Sequence, residues 1–166
     1  MISLDRVSKS YRAGQIETRA LDEVSLEVKA GDFVAITGPS GCGKSTLLNL
    51  LGLLDRPTAG DLWFDGQNVA RYTERQLTRL RRATIGFVFQ SFNLIEDLTV
   101  AENVEVALAY RDMPAAESRK RVAAALERVE MSHRAGHFPR QLSGGQQQRV
   151  AIARSLVGDP KVILAD

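Results

Sequence analysis

Hydrophobic and polar positions change period several times along the 166-residue chain, and each change marks an element. Residues 2–7 alternate, with Ile2 and Leu4 apolar and Ser3 and Asp5 polar. Val24, Leu26 and Val28 alternate with Ser25, Glu27 and Lys29. A period of two predicts two half-exposed antiparallel strands, joined by a polar loop at about Ala13–Thr18. Ala30-Gly31-Asp32 is a turn into Phe33-Val34-Ala35-Ile36, which is apolar without alternation, as a buried parallel strand is. Leu47-Leu48-Asn49-Leu50-Leu51 is apolar at helical spacing, with Gly52 as its cap. Leu62-Trp63-Phe64 followed by Asp65-Gly66 predicts a strand and a tight turn, with Trp63 in sheet or core packing.

In the second half the helical period dominates. Thr73-Glu74-Arg75-Gln76 has capping-box form and predicts a short helix through Leu77 and Leu80. Ile85-Gly86-Phe87-Val88-Phe89 is an apolar strand that ends on Gln90. Thr99 and Glu102 form another capping box, ahead of a face made by Val100, Val104, Ala107 and Leu108. Pro114 opens a helix that buries Val122, Leu126 and Val129 and exposes Arg119, Lys120, Glu127 and Arg128. Ser143 and Gln146 repeat the box before Val150, Ala153, Leu156 and Val157, and Gly158 with Pro160 ends that helix. Residues from about 92 to 157 are thus largely helical. Lys161-Val162-Ile163-Leu164-Ala165 is a last apolar strand, ending in the carboxylate of Asp166.

Between the predicted strand at 33–36 and the helix after it lies Gly38-Pro39-Ser40-Gly41-Cys42-Gly43-Lys44-Ser45-Thr46, which fits the phosphate-binding pattern G-x-x-x-x-G-K-[ST]. Strand, glycine loop and helix aim backbone N–H groups and the positive end of a helix dipole at one place, which suits a polyphosphate. Lys44 reaches the β/γ-phosphates in such a loop, and Ser45 offers its hydroxyl to Mg²⁺. Ser143-Gly144-Gly145 at a helix start is a second candidate anion site, although a glycine before a helix is also commonly just a turn. Asp166, at a strand end, has the position from which an aspartate helps to hold Mg²⁺ in P-loop enzymes.

Composition narrows the setting. Lys and Arg number 22 against 20 Asp and Glu, a net charge of +2 that leaves no nucleic-acid footprint. Arg79, Arg81 and Arg82 read as a solvated helix face. The one cysteine, Cys42, excludes an internal disulfide and fits a reducing compartment. No apolar run has the length of a membrane span and the N-terminus lacks a signal-peptide core, so the expected setting is cytosolic, with any membrane association made through a partner.

In order and spacing these pieces resemble the ATP-binding subunit of an ABC transporter, over the whole chain. The most specific element is Leu142-Ser143-Gly144-Gly145-Gln146, similar to the family's signature and extended by Gln147-Gln148-Arg149-Val150-Ala151-Ile152-Ala153-Arg154. The resemblance implies an α/β fold: a P-loop NTPase (RecA-like) core, a small antiparallel β-subdomain and a helical signature subdomain, incomplete at the C-terminus. It implies one ATP-binding domain over 1–166, with the β-subdomain and P-loop core at 1–91, the helical part at 92–157 and the Walker B strand at 158–166. Tyr11 looks like the aromatic that stacks on adenine, and Gln90 like the glutamine that contacts Mg²⁺ and the attacking water. Ser143, Gly144, Gly145 and Gln146 look like the part that meets the γ-phosphate of ATP held by a second subunit. The implied active form is a head-to-tail dimer, with two ATP molecules at its interface.

Glu74, Arg81-Arg82, the run Ile85 to Leu94, Leu98 to Val104 and the longer loop after Tyr11 are similar to the macrolide-efflux and lipoprotein-release branch, whose members pair with a membrane permease. The expected function is energy coupling for export or release of a substrate, from the inner face of the cell membrane. The competing readings are a non-transport ABC-type ATPase and a nucleotide-dependent regulatory module, as in cell division. The family's glutamate and histidine beyond the Walker B aspartate do not occur here, and His133 and His137 precede the signature. The expectation for these 166 residues alone is therefore weak ATP binding and little hydrolysis.

Overall fold

The computed structural model describes residues 1–166, with six strands, five α-helices and three short 3-10 turns. The chain parts into two compact units, Met1–Arg79 and Leu80–Asp166. In the first, β1 (Ile2–Ala13), β2 (Ile16–Val28), β3 (Ala59–Phe64) and β4 (Gln67–Asn68) make an antiparallel sheet in the order β2-β1-β3-β4. The alternation in the sequence becomes its register: Ile2 stands between Val28 and Phe64, and Leu4 between Leu26 and Leu62. Ile2, Leu4, Leu62 and Phe64 are all buried, and each such side chain contributes about 1.5–3 kcal/mol of burial. Ser3 and Trp63 pair on the opposite face, so Trp63 is an exposed sheet residue.

The hairpin is longer than the sequence suggests. Tyr11 pairs with Thr18, Arg12 with Glu17 and Ala13 with Ile16, so the loop expected at Ala13–Thr18 contracts to Gly14-Gln15. Gly14 takes φ +63° and opens a two-residue turn. Register breaks between Leu4 and Lys9, where Arg6 and Glu23 hold φ +46°. The amides these bulges free donate to Ser25 Oγ and Ser8 Oγ, both at 3.0 Å, so the ladder loses no donor.

Phe33–Ile36 is not a strand. It belongs to neither sheet, and Phe33 is 98% exposed. Apolar composition makes a segment strand-prone, but a strand exists only where a neighbour takes its N–H and C=O groups. This segment pairs with none of the six strands. The preceding turn forms as expected, with the Lys29 amide donating to Asp32 Oδ2 at 2.8 Å. α1 (Lys44–Leu51) buries Leu47, Leu50 and Leu51. Gly52 is its C-cap at φ −80°, and the left-handed residue after it is Leu53, at φ +56°. Asp65 (φ +47°) and Gly66 (φ +77°) make the tight turn between β3 and β4. α2 (Glu74–Thr84) starts from Thr73, whose amide donates to Gln76 Oε1 at 2.8 Å.

In the second unit β5 (Ile85–Val88) and β6 (Val162–Ala165) pair in parallel, from Ile85 against Val162 to Val88 against Ala165. α3 (Val100–Glu105), α4 (Ala115–Arg128) and α5 (Gly144–Leu156) surround a core of Val100, Val104, Leu108, Val122, Leu126, Met131, Val150, Ala153 and Val157. These are most of the positions that the helical period marks, with Val129 at the core's edge; Ala107 instead lies exposed in the 3-10 turn after α3, and Leu156 is only half-buried. The Thr99 box is closed, its amide donating to Glu102 Oε2 at 2.7 Å. Gly86 lets α5 approach β5, because a Cβ there would meet the Ser155 carbonyl. Asp159, at φ +52°, supplies the turn after α5; Gly158 is small because the Arg111 guanidinium lies where its Cβ would stand. No helix is long and apolar enough to cross a membrane.

Candidate functional site

The loop Gly38–Gly43 runs directly into α1. Gly41 and Gly43 hold φ +78° and +94°, and a Cβ on Gly43 would stand 2.5 Å from the Ala20 carbonyl. Gly43 is the N-cap of α1 and offers no side-chain cap. The first intrahelical bond is Leu47 N–H to the Gly43 carbonyl, 2.8 Å, so the amides before it have no helix partner. Gly38, Pro39, Ser40, Gly41, Cys42 and Ser45 are exposed, while Lys44 and Thr46 are half-buried. Lys44 Nζ donates to the carbonyls of Gly38 (2.9 Å) and Pro39 (2.8 Å) and lies 3.8 Å from Cys42 Sγ. A cation held in the loop's concavity and uncapped amides at a positive helix end make a seat for an anion.

Tyr11 lies on β1 with 42% of its surface exposed. Its hydroxyl donates to Asp55 Oδ2 at 3.0 Å. Lys9 Nζ reaches Asp55 Oδ1 at 2.6 Å and the Arg56 carbonyl at 2.8 Å, and stands 4.9 Å from the centre of the Tyr11 ring. Partial burial by itself pushes the Asp55 carboxyl up. The hydrogen bonds from Lys9, the Arg56 amide and Tyr11, with the charge of Lys9, outweigh it and hold the group below its ordinary 3.8.

In the second unit Gln90 and Asp166 follow β5 and β6. The parallel register puts both at the carboxyl edge of that pair, and the Asp166 amide donates to the Val88 carbonyl at 3.0 Å. That edge is where open parallel sheets present ligand groups. The chain beyond Gln90 is held in an unusual shape, with Phe92 at φ +61° and Asn93 at φ +48°. Arg154 from α5 donates Nη1 to the Asn93 carbonyl and Nη2 to the Phe92 carbonyl, both at 2.6 Å. Burial lowers the Arg154 guanidinium below its ordinary pKa. Asn103, fully buried, completes the hold: its Nδ2 donates to the carbonyls of Ile95, Leu98 and Thr99 at 3.0 Å each, and its Oδ1 accepts from the Ile95 amide at 2.7 Å.

Ser143 is the N-cap of α5, in a closed box with Gln146. Its amide donates to Gln146 Oε1 at 2.9 Å, and its hydroxyl accepts from the Gln146 amide at 3.4 Å. Gln146 is thereby engaged as the brace of the turn, while Ser143, Gly144 and Gly145 face outward, exposed. His133 is exposed, and the half-buried His137 takes a hydrogen bond from Arg134 at 2.8 Å.

Hard oxygen donors of the kind Mg²⁺ takes are the Ser45 hydroxyl in the first unit and, in the second, the Gln90 amide oxygen and the Asp166 carboxylate. Four residues that shape these places escape a reading of local pattern. Lys9 on β1 and Asp55 after α1 are 46 positions apart in the sequence, a meeting that no periodicity reveals. Arg154 and Asn103 did leave a signal: each puts a polar group on an otherwise apolar helix face, beside Val150 and Val157 in one case and Val100 and Val104 in the other.

Glycine loop, uncapped helix and strand-end carboxylate define a P-loop nucleotide-binding protein of the α/β class. The ABC transporter family profile matches residues 21–166, and the chain belongs to that family, as an ABC transporter ATP-binding domain. It is 51% identical over its whole length to the macrolide export ATP-binding/permease protein MacB of Hyphomonas neptunium, of which it spans 26%. It is also 51% identical to an uncharacterized ABC transporter ATP-binding protein of Thermotoga maritima, of which it spans 71%. Among solved structures, the ATP-binding cassette MJ0796, in a dimeric post-hydrolysis state bound to ADP and Pi, superposes over the whole chain with a TM-score of 0.92 at 50% identity; the chain spans 73% of it. The fold is that of the ABC ATPase cassette.

Proposed function

We propose that this chain binds ATP with Mg²⁺, pairs through that ATP with a second copy, and so drives a membrane permease. Gly38–Thr46 takes the phosphates, with Lys44 against the β/γ oxygens. Ser45, Gln90 and Asp166 supply the protein's oxygen donors to Mg²⁺, which neutralises charge on the phosphates when bound. Tyr11 stacks on the base, and Gln90 also orients the attacking water. Ser143, Gly144 and Gly145, braced by Gln146, meet the γ-phosphate held by the partner copy. Residues 1–166 act as one ATP-binding domain, with the P-loop part at 1–91, the helical part at 92–157 and the Walker B strand at 158–166.

The observation that carries this reading is the exposed Ser143–Gly145 start of α5, a second anion seat in a chain that already has one at α1. α5 has 13 residues, about 20 Å at 1.5 Å per residue. Arg154, near its far end, holds the chain beyond Gln90. The two edges of the second unit are therefore separated by most of a helix. Two copies related by a two-fold axis bring each signature to the other's phosphates and make two equivalent sites. The matched cassette is described as dimeric and bound to ADP and Pi, which supports the arrangement.

The matched MacB proteins are named as ATP-binding and permease protein in one, which supports coupling to a permease, from the cytoplasmic face, for export or release of a substrate. Closure on ATP and opening on hydrolysis supply the stroke. Replacing Lys44 by Ala tests the first step. A fluorescent ATP analogue should bind at least about tenfold more weakly, the equivalent of about 1.4 kcal/mol. Unchanged binding contradicts the phosphate role of the loop.

A further inference from the structure

We propose that Asp55, held by Lys9, is a positioning residue for the nucleotide base, fixing the Tyr11 ring on which the base stacks. The inference rests on the reading of Tyr11 as that platform. A tyrosine on an exposed hairpin is free to turn about both its side-chain torsions. An anchor at the hydroxyl, which lies on the Cβ–Cγ axis, stops the first and so fixes where the ring lies; Asp55 Oδ2 is that anchor at 3.0 Å, and the Lys9 ammonium over the ring opposes the second. The other carboxylate oxygen is taken by Lys9 at 2.6 Å and by the Arg56 amide at 2.7 Å. Asp55 is thus fixed before it fixes Tyr11.

Lys9 does a second thing. It lies two residues before Tyr11 on the same strand, so both project from one face, and its ammonium stands 4.9 Å from the ring centre. The Lys9 side chain is 12% exposed and that of Asp55 29%, so this is a partly shielded pair rather than a solvated one. A cation against one face of the ring leaves the other for a base. Asp55 also follows α1 closely in the chain, so the network ties the base platform to the segment that carries the phosphate seat. A ring already held in place loses little freedom when a base stacks on it, and that preorganisation appears as affinity.

The test separates base from phosphate by comparing ATP with inorganic tripolyphosphate, which has no base, using calorimetric titration of the purified protein. Asp55→Asn should weaken ATP about two- to tenfold, the range of one net hydrogen bond, and leave tripolyphosphate unchanged. Tyr11→Phe, which keeps the ring and loses the anchor, should show the same loss, and the double variant no more than either. If Asp55→Asn weakens both ligands alike, Asp55 is merely structural and the proposal is overturned. If Asp55→Asn has no effect while Tyr11→Ala weakens ATP alone, the proposal fails and the base platform stands. If Tyr11→Ala leaves the ratio of ATP to tripolyphosphate affinity unchanged, the base reading itself fails.

Discussion

Asp55 is a case of a side chain whose environment decides its charge. Burial opposes its ionisation, and three hydrogen bonds with the Lys9 charge overcome that opposition, so the folded carboxyl titrates below 3.8. The sign of the consequence follows. A carboxyl depressed in the folded state contributes stability that is whole above the unfolded value of 3.8 and is lost as pH falls through the lower folded value. Urea unfolding of the protein and of Asp55→Asn should therefore differ most from about pH 5 upward, and the gap should narrow below 3.8. A gap unchanged on acidification contradicts this charge assignment. The same residue shows a limit of sequence reading. Gly38–Thr46 is legible because its chemistry is contiguous, whereas Asp55 and Lys9 acquire meaning only when β1 and the chain after α1 are brought together.

Among elements, local signals fared best where the partners are near in sequence. The boxes at Thr73, Thr99 and Ser143 formed as written, since each needs only its own first turn. Phe33–Ile36 failed as a strand because strand identity is a property of a pair, and the hairpin ran longer than expected because Gly14 lets the ladder continue to the tip. The segment after Gln90 shows the same dependence on distant contacts. Two left-handed residues in succession, Phe92 and Asn93, are held by one guanidinium. Charge-assisted hydrogen bonds are each worth about 1.5–3 kcal/mol. Arg154→Ala should cost about 2–3 kcal/mol in urea unfolding and speed hydrogen exchange in residues 90–95. Arg154→Lys should not restore it, because an ammonium lacks the planar fork that reaches both carbonyls. Full stability in the lysine variant would show that charge alone suffices.

At the scale of the whole molecule, the order of motifs made the family and the cassette fold legible. The parting at Arg79 and Leu80 was not legible, because the helix that crosses it has an unbroken pattern. The proposed function rests on one claim: that the phosphate seat at α1 is half of a site, and the start of α5 in a second copy the other half. Ser143→Arg puts bulk and charge at that second half and leaves the P-loop untouched. The direct measurement is sedimentation of the native protein and this variant with Mg²⁺ and a non-hydrolysable ATP analogue, beside nucleotide binding by each. The native protein should form a dimer, and Ser143→Arg should bind the analogue with the affinity of the native monomer yet remain monomeric. A variant that still dimerises, or that loses nucleotide binding as a monomer, would contradict the composite site.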